Sequence, residues 1–259
     1  MCGRFAFYSP HEAVVRLFGV ADFAPDIEPR YNIAPTTYVP TVRVLPGDPA
    51  RRLALLYWGL VPSWAKDRAI GARLNNARSE TLREKPSFRN AYQRRRCLVL
   101  ADGYYEWQRS ASGKQPYYIQ LGSLEPMAIA ALWETWRDPA NDDLLESCTL
   151  VTTTPASSIA HIHDRMPVIV PPGNFAEWLD PANTDVDRLD RLLPPNASIA
   201  LAARPVGKQV NNARNEGPSL IQPVAVEAVV EPPAPAAAPE QGSLLEARTP
   251  DPPGAKSRG

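Results

Sequence analysis

The chain opens Met1-Cys2-Gly3-Arg4, and its second residue carries the least ordinary chemistry. A methionine ahead of a small side chain is normally trimmed after synthesis, so cysteine is expected to become the terminal residue, with an amine and a thiol on adjacent carbons. An α-amine (pKa about 7.7–8.0) and a thiol (about 8.5) each supply some reactive form near neutral pH. Such a 1,2-aminothiol captures an aldehyde as an imine through nitrogen and then closes a five-membered thiazolidine through sulfur. The second step is intramolecular, so the thiol acts at high effective concentration. The bland alternative is a frayed terminus. Against it stand Gly3, which lets the backbone approach other groups closely, and the alternating run Arg4-Phe5-Ala6-Phe7-Tyr8. That run reads as a strand with Phe5 and Phe7 on one face, which would pin the terminus inside the fold.

Four other places could contribute chemistry. Glu106 sits in Tyr104-Tyr105-Glu106-Trp107, where burial among aromatics would raise its pKa and suit it to proton transfer. Ala160-His161-Ile162-His163-Asp164-Arg165 holds two of the three histidines. Alternate spacing on extended chain puts both rings on one side, as a zinc site would need, but partners at metal spacing are missing; general acid/base work is the better fit, and His161 reads equally well as structural. Trp58 and Trp64 flank a loop broken by glycine and proline, where they could plug a core or stack on bases. After Ala77 come seven cations, Arg78, Arg83, Lys85, Arg89, Arg94, Arg95 and Arg96, against the acids Glu80 and Glu84. This is either a solvated helix face or a phosphate-binding track.

The 259 residues, 44% hydrophobic, are enough for a real core in one or two domains. The formal net charge is zero, but residues 224–259 carry five acids against three bases, which leaves residues 1–223 at +2. Arginine outnumbers lysine 23 to 5, which reflects either genome composition or a use for planar phosphate-binding forks. Cys2, Cys97 and Cys148 show no C-x-x-C spacing, so neither a disulfide scaffold nor a thiolate zinc site is expected. A reducing, cytoplasmic compartment fits best, and no apolar run approaches the ~20 residues that span a bilayer.

The elements that must position these residues follow from pattern. Ser9-Pro10-His11-Glu12 reads as a capping box opening a helix that buries Ala13, Val14, Leu17 and Phe18 and stops at Gly19. Val42 to Leu45 and Leu53 to Trp58 form a hairpin around Pro46-Gly47-Asp48. Cys97 to Ala101 is a buried strand turned at Asp102-Gly103 into Tyr104 to Trp107. Further strands are expected at 117–121, 127–132, 147–153, 168–170 and 199–206, with helices near 175–179 and 186–193. The predicted class is α+β: a single strand-rich domain with a mixed or antiparallel core and flanking helices. From Val224 the composition turns to seven prolines and eight alanines in 36 residues with no aromatics, a disordered tail. The domain expected is 2–223 and the tail 224–259.

Seven separated segments occur in one order: Met1-Cys2-Gly3-Arg4, Tyr31-Asn32-Ile33-Ala34-Pro35, Trp58-Gly59-Leu60-Val61-Pro62, Asn76-Ala77-Arg78-Ser79-Glu80-Thr81, Asp102-Gly103-Tyr104-Tyr105-Glu106-Trp107, His163-Asp164-Arg165-Met166-Pro167 and Leu220-Ile221-Gln222-Pro223. Together they resemble the SOS-response-associated peptidase (SRAP) family, the abasic-site processing proteins, over about residues 2–223. The resemblance implies a basic groove for single-stranded DNA and a terminal cysteine that crosslinks the ring-opened aldehyde of an abasic site. By the same resemblance Cys2 is the nucleophile, Asn76 and Glu106 position and assist at the amine and sugar, and His163 serves as acid/base. Arg4 and Arg78 would hold backbone phosphates, and Trp64 would pack at the groove. Asn75 doubles the asparagine; the match to Ala77-Arg78-Ser79-Glu80 selects Asn76 and leaves Asn75 as the alternative. The expected protein is a nucleoid-associated monomer acting in the SOS response without cofactor or metal, its partner single-stranded DNA with abasic sites. Its imine stage would also permit weak lyase activity by β-elimination. Two rivals stay open: a thiol (auto)peptidase using Cys2 with His163, and a passive DNA-binding module.

Overall fold

The computed structural model describes residues 2–20, 27–110, 113–194 and 199–225. The tail read from the sequence lies beyond Ala225, outside the described residues apart from Val224 and Ala225, and Met1 is likewise outside them. The elements in order are β1 (Phe5–Phe7), α1 (His11–Phe18), β2 (Arg30–Ile33), β3 (Tyr38–Leu45), β4 (Asp48–Trp58), β5 (Asn76–Arg78), α2 (Arg89–Arg94), β6 (Arg96–Ala101), β7 (Gly103–Ser110), β8 (Gly113–Leu121), β9 (Met127–Arg137), β10 (Leu144–Thr153), β11 (Met166–Pro167), β12 (Ile169–Val170), α3 (Phe175–Leu179), α4 (Val186–Asp190) and β13 (Leu201–Pro205). The protein is a strand-rich α+β fold, as its pattern of short strands and few helices requires.

Two sheets share the work. In the larger, the path β10-β4-β3-β6-β9 closes because β9 pairs back with β10, giving a barrel-like ring. β10 runs parallel to β4 and to β5 but antiparallel to β9, so the core is mixed. The smaller sheet has the order β13-β8-β7-β1-β2 and is antiparallel throughout. Closure explains why β6 and β9 lack polar alternation: Cys97, Leu98, Val99, Leu100, Ala101 and Met127 to Leu132 are all buried. Phe5 of β1 packs on Trp58 of β4 with centroids 5.1 Å apart, joining the two sheets through one aromatic contact. Trp58 is thus the core plug the loop reading allowed.

Three local expectations are corrected. Ser9 does not cap α1: the cap position is Pro10 without a side-chain bond, and the Ser9 hydroxyl and amide both donate to Asp102 instead. The Asp102 carboxylate also accepts the Tyr8 amide at 2.5 Å, so a long-range acceptor outcompetes the local box. The Asp102-Gly103 pair is no hairpin turn, since β6 lies in the barrel and β7 pairs with β1 and β8 in the other sheet. Gly103 is required there because a Cβ would stand 2.5 Å from the Tyr118 hydroxyl and 2.8 Å from the Ile119 carbonyl. Third, the cations after Ala77 do not share one exposed face. Arg96 is buried, with Nε donating to the Trp178 carbonyl and Nη1 to that of Tyr92, both at 2.7 Å, and Nη2 to those of Asp180 and Asn183. Arg83 pairs with Asp187 and Asp190, and Arg95 with Glu134.

Candidate active site

Cys2 precedes β1 and is fully buried, so the amino-terminal segment is packed rather than frayed. Two neighbours hold it. The Asn76 side-chain amide donates to the Cys2 carbonyl at 2.7 Å, while the Tyr105 amide donates to the Arg4 carbonyl at 2.9 Å and continues the β1–β7 ladder. Asn76 reaches that point because β5 lies beside β10, with Asn76 opposite Leu150. The Asn75 carbonyl is engaged elsewhere, accepting from the Trp58 indole at 2.8 Å and the Leu150 amide at 3.1 Å. Of the two asparagines, Asn76 is the one whose side chain meets Cys2. Its Oδ1 is buried without a hydrogen-bond partner among the described residues.

Glu106 lies on β7, buried, two residues beyond Tyr104 and therefore on the same face of the strand. Burial pushes its carboxyl up to about 7. The same loss of solvent, reinforced by the Glu106 charge, pushes the Cys2 thiol well above its ordinary range. Tyr104 belongs to this group as well: its hydroxyl is buried without a partner among the described residues, and burial, then Cys2 and Glu106, raise its pKa. Sequence reading missed Tyr104, although strand alternation from Glu106 was a sufficient signal.

His163 brings its Nε2 to 3.7 Å from Glu106 Oε2. Its Nδ1 lies 3.0 Å from the Arg165 amide and 2.9 Å from Asp164 Oδ1. A neutral ring accepts from the amide and turns Nε2–H toward Glu106, whereas a protonated ring can donate to Asp164. Burial lowers the His163 pKa, which favours the neutral form. His161, two residues away, is exposed and edge-on to Tyr117 at 6.5 Å, so the two histidines do not share a role.

The remaining expected site residues fall in different surroundings. Arg4 is half-buried and donates through Nη1 to Asn32 Oδ1 at 2.6 Å and the Val210 carbonyl at 2.8 Å. Asn32, fully enclosed, donates in turn to the Asn212 and Asn215 carbonyls, so Arg4 and Asn32 fasten the 210–215 loop beneath β1 and β2. Arg78 is exposed at the end of β5. Trp64 is 58% exposed and borders a cleft of about 560 Å³ with Lys66, Arg73 and Ile70. No cluster of three or more His, Cys, Asp or Glu suited to a metal occurs among the described residues, and none of their helices is long and apolar enough to cross a membrane.

The barrel, the second sheet and a buried Cys2 beside Asn76 and Glu106, with His163 approaching Glu106, define a recognisable class. The family profile described as SOS response associated peptidase (SRAP) matches residues 1–213, and the chain belongs to that family. Among similar proteins, the abasic site processing protein YoqW of Bacillus subtilis is 42% identical over 86% of this chain and 99% of its own. The abasic site processing protein HMCES of Xenopus tropicalis is 33% identical over 75% of this chain and 66% of its own. A crystal structure of a Bacteroides thetaiotaomicron protein superposes with a TM-score of 0.76 at 22% identity, covering 86% of this chain and all of that one. A phage-related protein of Bordetella bronchiseptica gives 0.62 at 34% identity over 79% and 94%.

Proposed function

We propose that the protein processes abasic sites in single-stranded DNA by crosslinking them to Cys2 as a thiazolidine. The observation that carries this reading is the burial of Cys2 beside the buried Glu106 carboxyl, with the Asn76 amide on the Cys2 carbonyl. A thiol held protonated is a poor lone nucleophile. It can still add to an electrophile already tethered to the neighbouring nitrogen, if a base takes its proton.

The steps follow. Once Met1 has been removed, the Cys2 amine attacks C1′ of the opened sugar and water leaves, giving an imine. The sulfur then adds to C1′ while its proton passes to the nitrogen, and the ring closes. Glu106, whose carboxyl burial raises toward neutral pH, suits both the loss of water and the transfer from sulfur. Neutral His163, with Nε2–H toward Glu106, can relay that proton. Asn76 holds the Cys2 carbonyl and leaves Oδ1 to accept from the freed amine. Exposed Arg78 and Trp64 are suited to phosphate and base contacts, while Arg4 retains only those N–H groups not spent on Asn32 and Val210. The names of the relatives support abasic DNA as substrate. Elimination of the 3′ phosphate from the imine stage remains part of the proposal as a slow side reaction.

The test is intact-mass analysis and a heat-stable gel assay after incubation with abasic single strands. Protein lacking Met1 should gain the mass of the oligonucleotide less one water. Cys2→Ala should form only an adduct that needs borohydride for trapping. A heat-stable adduct from Cys2→Ala, or from protein retaining Met1, would exclude the thiazolidine. Cleavage of peptide substrates without adduct formation would favour the peptidase reading.

A further inference from the structure

Two successive tyrosines of β7 lie on opposite faces of the strand, as alternation requires. Tyr105 packs with Ala6 and Tyr118, and its hydroxyl donates to the Tyr31 carbonyl at 2.7 Å. Tyr104 joins the main core with Cys2, Phe5 and Trp58 and is fully buried. Its hydroxyl has no hydrogen-bond partner among the described residues. A buried hydroxyl left unmet costs stability, so phenylalanine would serve packing better at this position. The strand holds the ring in place: β7 lies between β1 and β8, with Tyr104 opposite Phe5 on one side and Ile119 on the other. Cys2 and Glu106 stand close enough for their charges to act on the hydroxyl. Asn76 Oδ1, which belongs to the side chain on the Cys2 carbonyl, is the matching unmet acceptor.

Resting on the function proposed above, we infer that the Tyr104 hydroxyl is a further hydrogen-bond donor in the reaction, held ready for the aldehyde oxygen of the opened sugar. C1′ must come within bonding distance of both the nitrogen and the sulfur of Cys2, and its oxygen is one bond away. That oxygen is therefore delivered among Cys2, Tyr104 and Glu106. As the amine adds to C1′, the carbonyl electron pair moves onto the oxygen, which takes the Tyr104 hydrogen bond. Glu106 carries one proton from the new ammonium to this oxygen and supplies a second as it leaves as water; the second is recovered from the iminium nitrogen. Tyr104 itself gives up no proton, because burial keeps its phenol protonated, and it donates throughout. A donor fixed in a dry site needs no reorganisation when the charge develops, which is where such groups gain their effect. Asn76 Oδ1 accepts from the amine and Tyr104 donates to the oxygen, so the two unmet groups match the two polar ends of the addition.

The test is single-turnover reaction of the protein lacking Met1 with abasic single strands, with a borohydride quench to count imine and a heat-stable gel to count ring. Tyr104→Phe, which removes one oxygen and keeps the ring, should slow both products by the same factor, about 10²-fold, as loss of one oxyanion donor does. Its affinity for a strand carrying tetrahydrofuran, which has no aldehyde, should equal that of wild type. Its melting temperature should equal or exceed that of wild type, since an unmet hydroxyl has gone. Tyr92→Phe is the converse control: its hydroxyl donates to Asp190, so the variant should melt lower and crosslink at the wild-type rate. The donor role is rejected if Tyr104→Phe keeps the wild-type rate, or if its imine forms on time and only ring closure lags, which would put the hydroxyl at the sulfur. It is also rejected if the variant melts lower or binds the tetrahydrofuran strand more weakly, which would make the hydroxyl a structural contact. Wild type separates this inference from the function beneath it. No heat-stable adduct from wild type removes both, whereas a normal wild-type adduct with an unimpaired Tyr104→Phe rejects the donor alone.

Discussion

The Arg165 guanidinium holds both carboxylate oxygens of Glu80, at 2.6 and 2.9 Å, and reaches the Thr152 carbonyl at 2.6 Å. One side chain thereby fastens the His163 loop to the turn after β5 and to the end of β10, while its own backbone amide orients the His163 ring. Lysine cannot reproduce this fork. Arg165→Lys and Glu80→Gln should each slow crosslinking about tenfold, and each should cost about 1–2 kcal/mol of stability, since Glu80 is half-exposed. Single-turnover gels and urea unfolding measure the two effects. Arg165 holds the Glu80 carboxyl below its ordinary range, so this stabilisation is present at neutral pH and is lost as pH falls through the lowered pKa. Unchanged crosslinking in both variants would deny the clamp any positioning role.

Glu106 gives the opposite pH dependence. Its folded carboxyl is raised to about 7, so the folded state holds the proton more tightly than the unfolded chain. The corresponding stability is complete below the ordinary carboxyl pKa of about 4.3 and is lost as pH rises through about 7. Glu106→Gln should therefore nearly match wild type at pH 4 and exceed it at pH 8 by about 3 kcal/mol, at ~1.4 kcal/mol per tenfold change. Melting curves at the two pH values test this. An equal difference at both would mean that Glu106 ionises as an ordinary carboxylate. The same variant should crosslink roughly 10²–10⁴-fold more slowly, as loss of a proton-transfer group does.

Asn76→Ala removes the donor to the Cys2 carbonyl and should slow thiazolidine formation by at least about tenfold while changing DNA affinity little. A buried acceptor left unsatisfied costs roughly 1–3 kcal/mol. Asn75→Ala should leave the rate near that of wild type. Equal defects in both variants would show that the strand, and not the amide, matters.

The cations after Ala77 should separate into two groups. Arg78, Lys85, Arg89 and Arg94 are exposed, and substituting each by Ala should reduce the slope of log affinity against log salt by a fraction of one to about one. Arg96→Ala should instead destabilise the fold by more than about 3 kcal/mol, because the buried carbonyls of Tyr92 and Trp178 and the part-buried ones of Asp180 and Asn183 all lose their donor. Denaturation and salt titration together check the division; a salt slope that ignores the first group would exclude the track as a phosphate contact.

Much of this protein was legible in the chain because its signals are local. Burial on both faces writes a continuous apolar run, so Cys97 to Ala101 read as a strand, and Gly19, left-handed at φ 64°, ended α1 where expected. The resemblance carried by Cys2, Asn76, Glu106 and His163 likewise rests on short contiguous segments. Tertiary structure alone decided where those segments meet. Whether Ser9 caps a helix or binds Asp102, 93 residues away, depends on which acceptor the fold delivers. Whether Arg96 is a surface cation or a buried staple depends on the carbonyls of residues 178–183. Asn76 and Cys2 are 74 positions apart and touch only because the ring of strands closes β10 against β5 and β9. Propensity and spacing act over a few residues, whereas a raised carboxyl and a protonated thiol are products of desolvation and the held imidazole is a product of the Arg165 contact, and both belong to the packed fold.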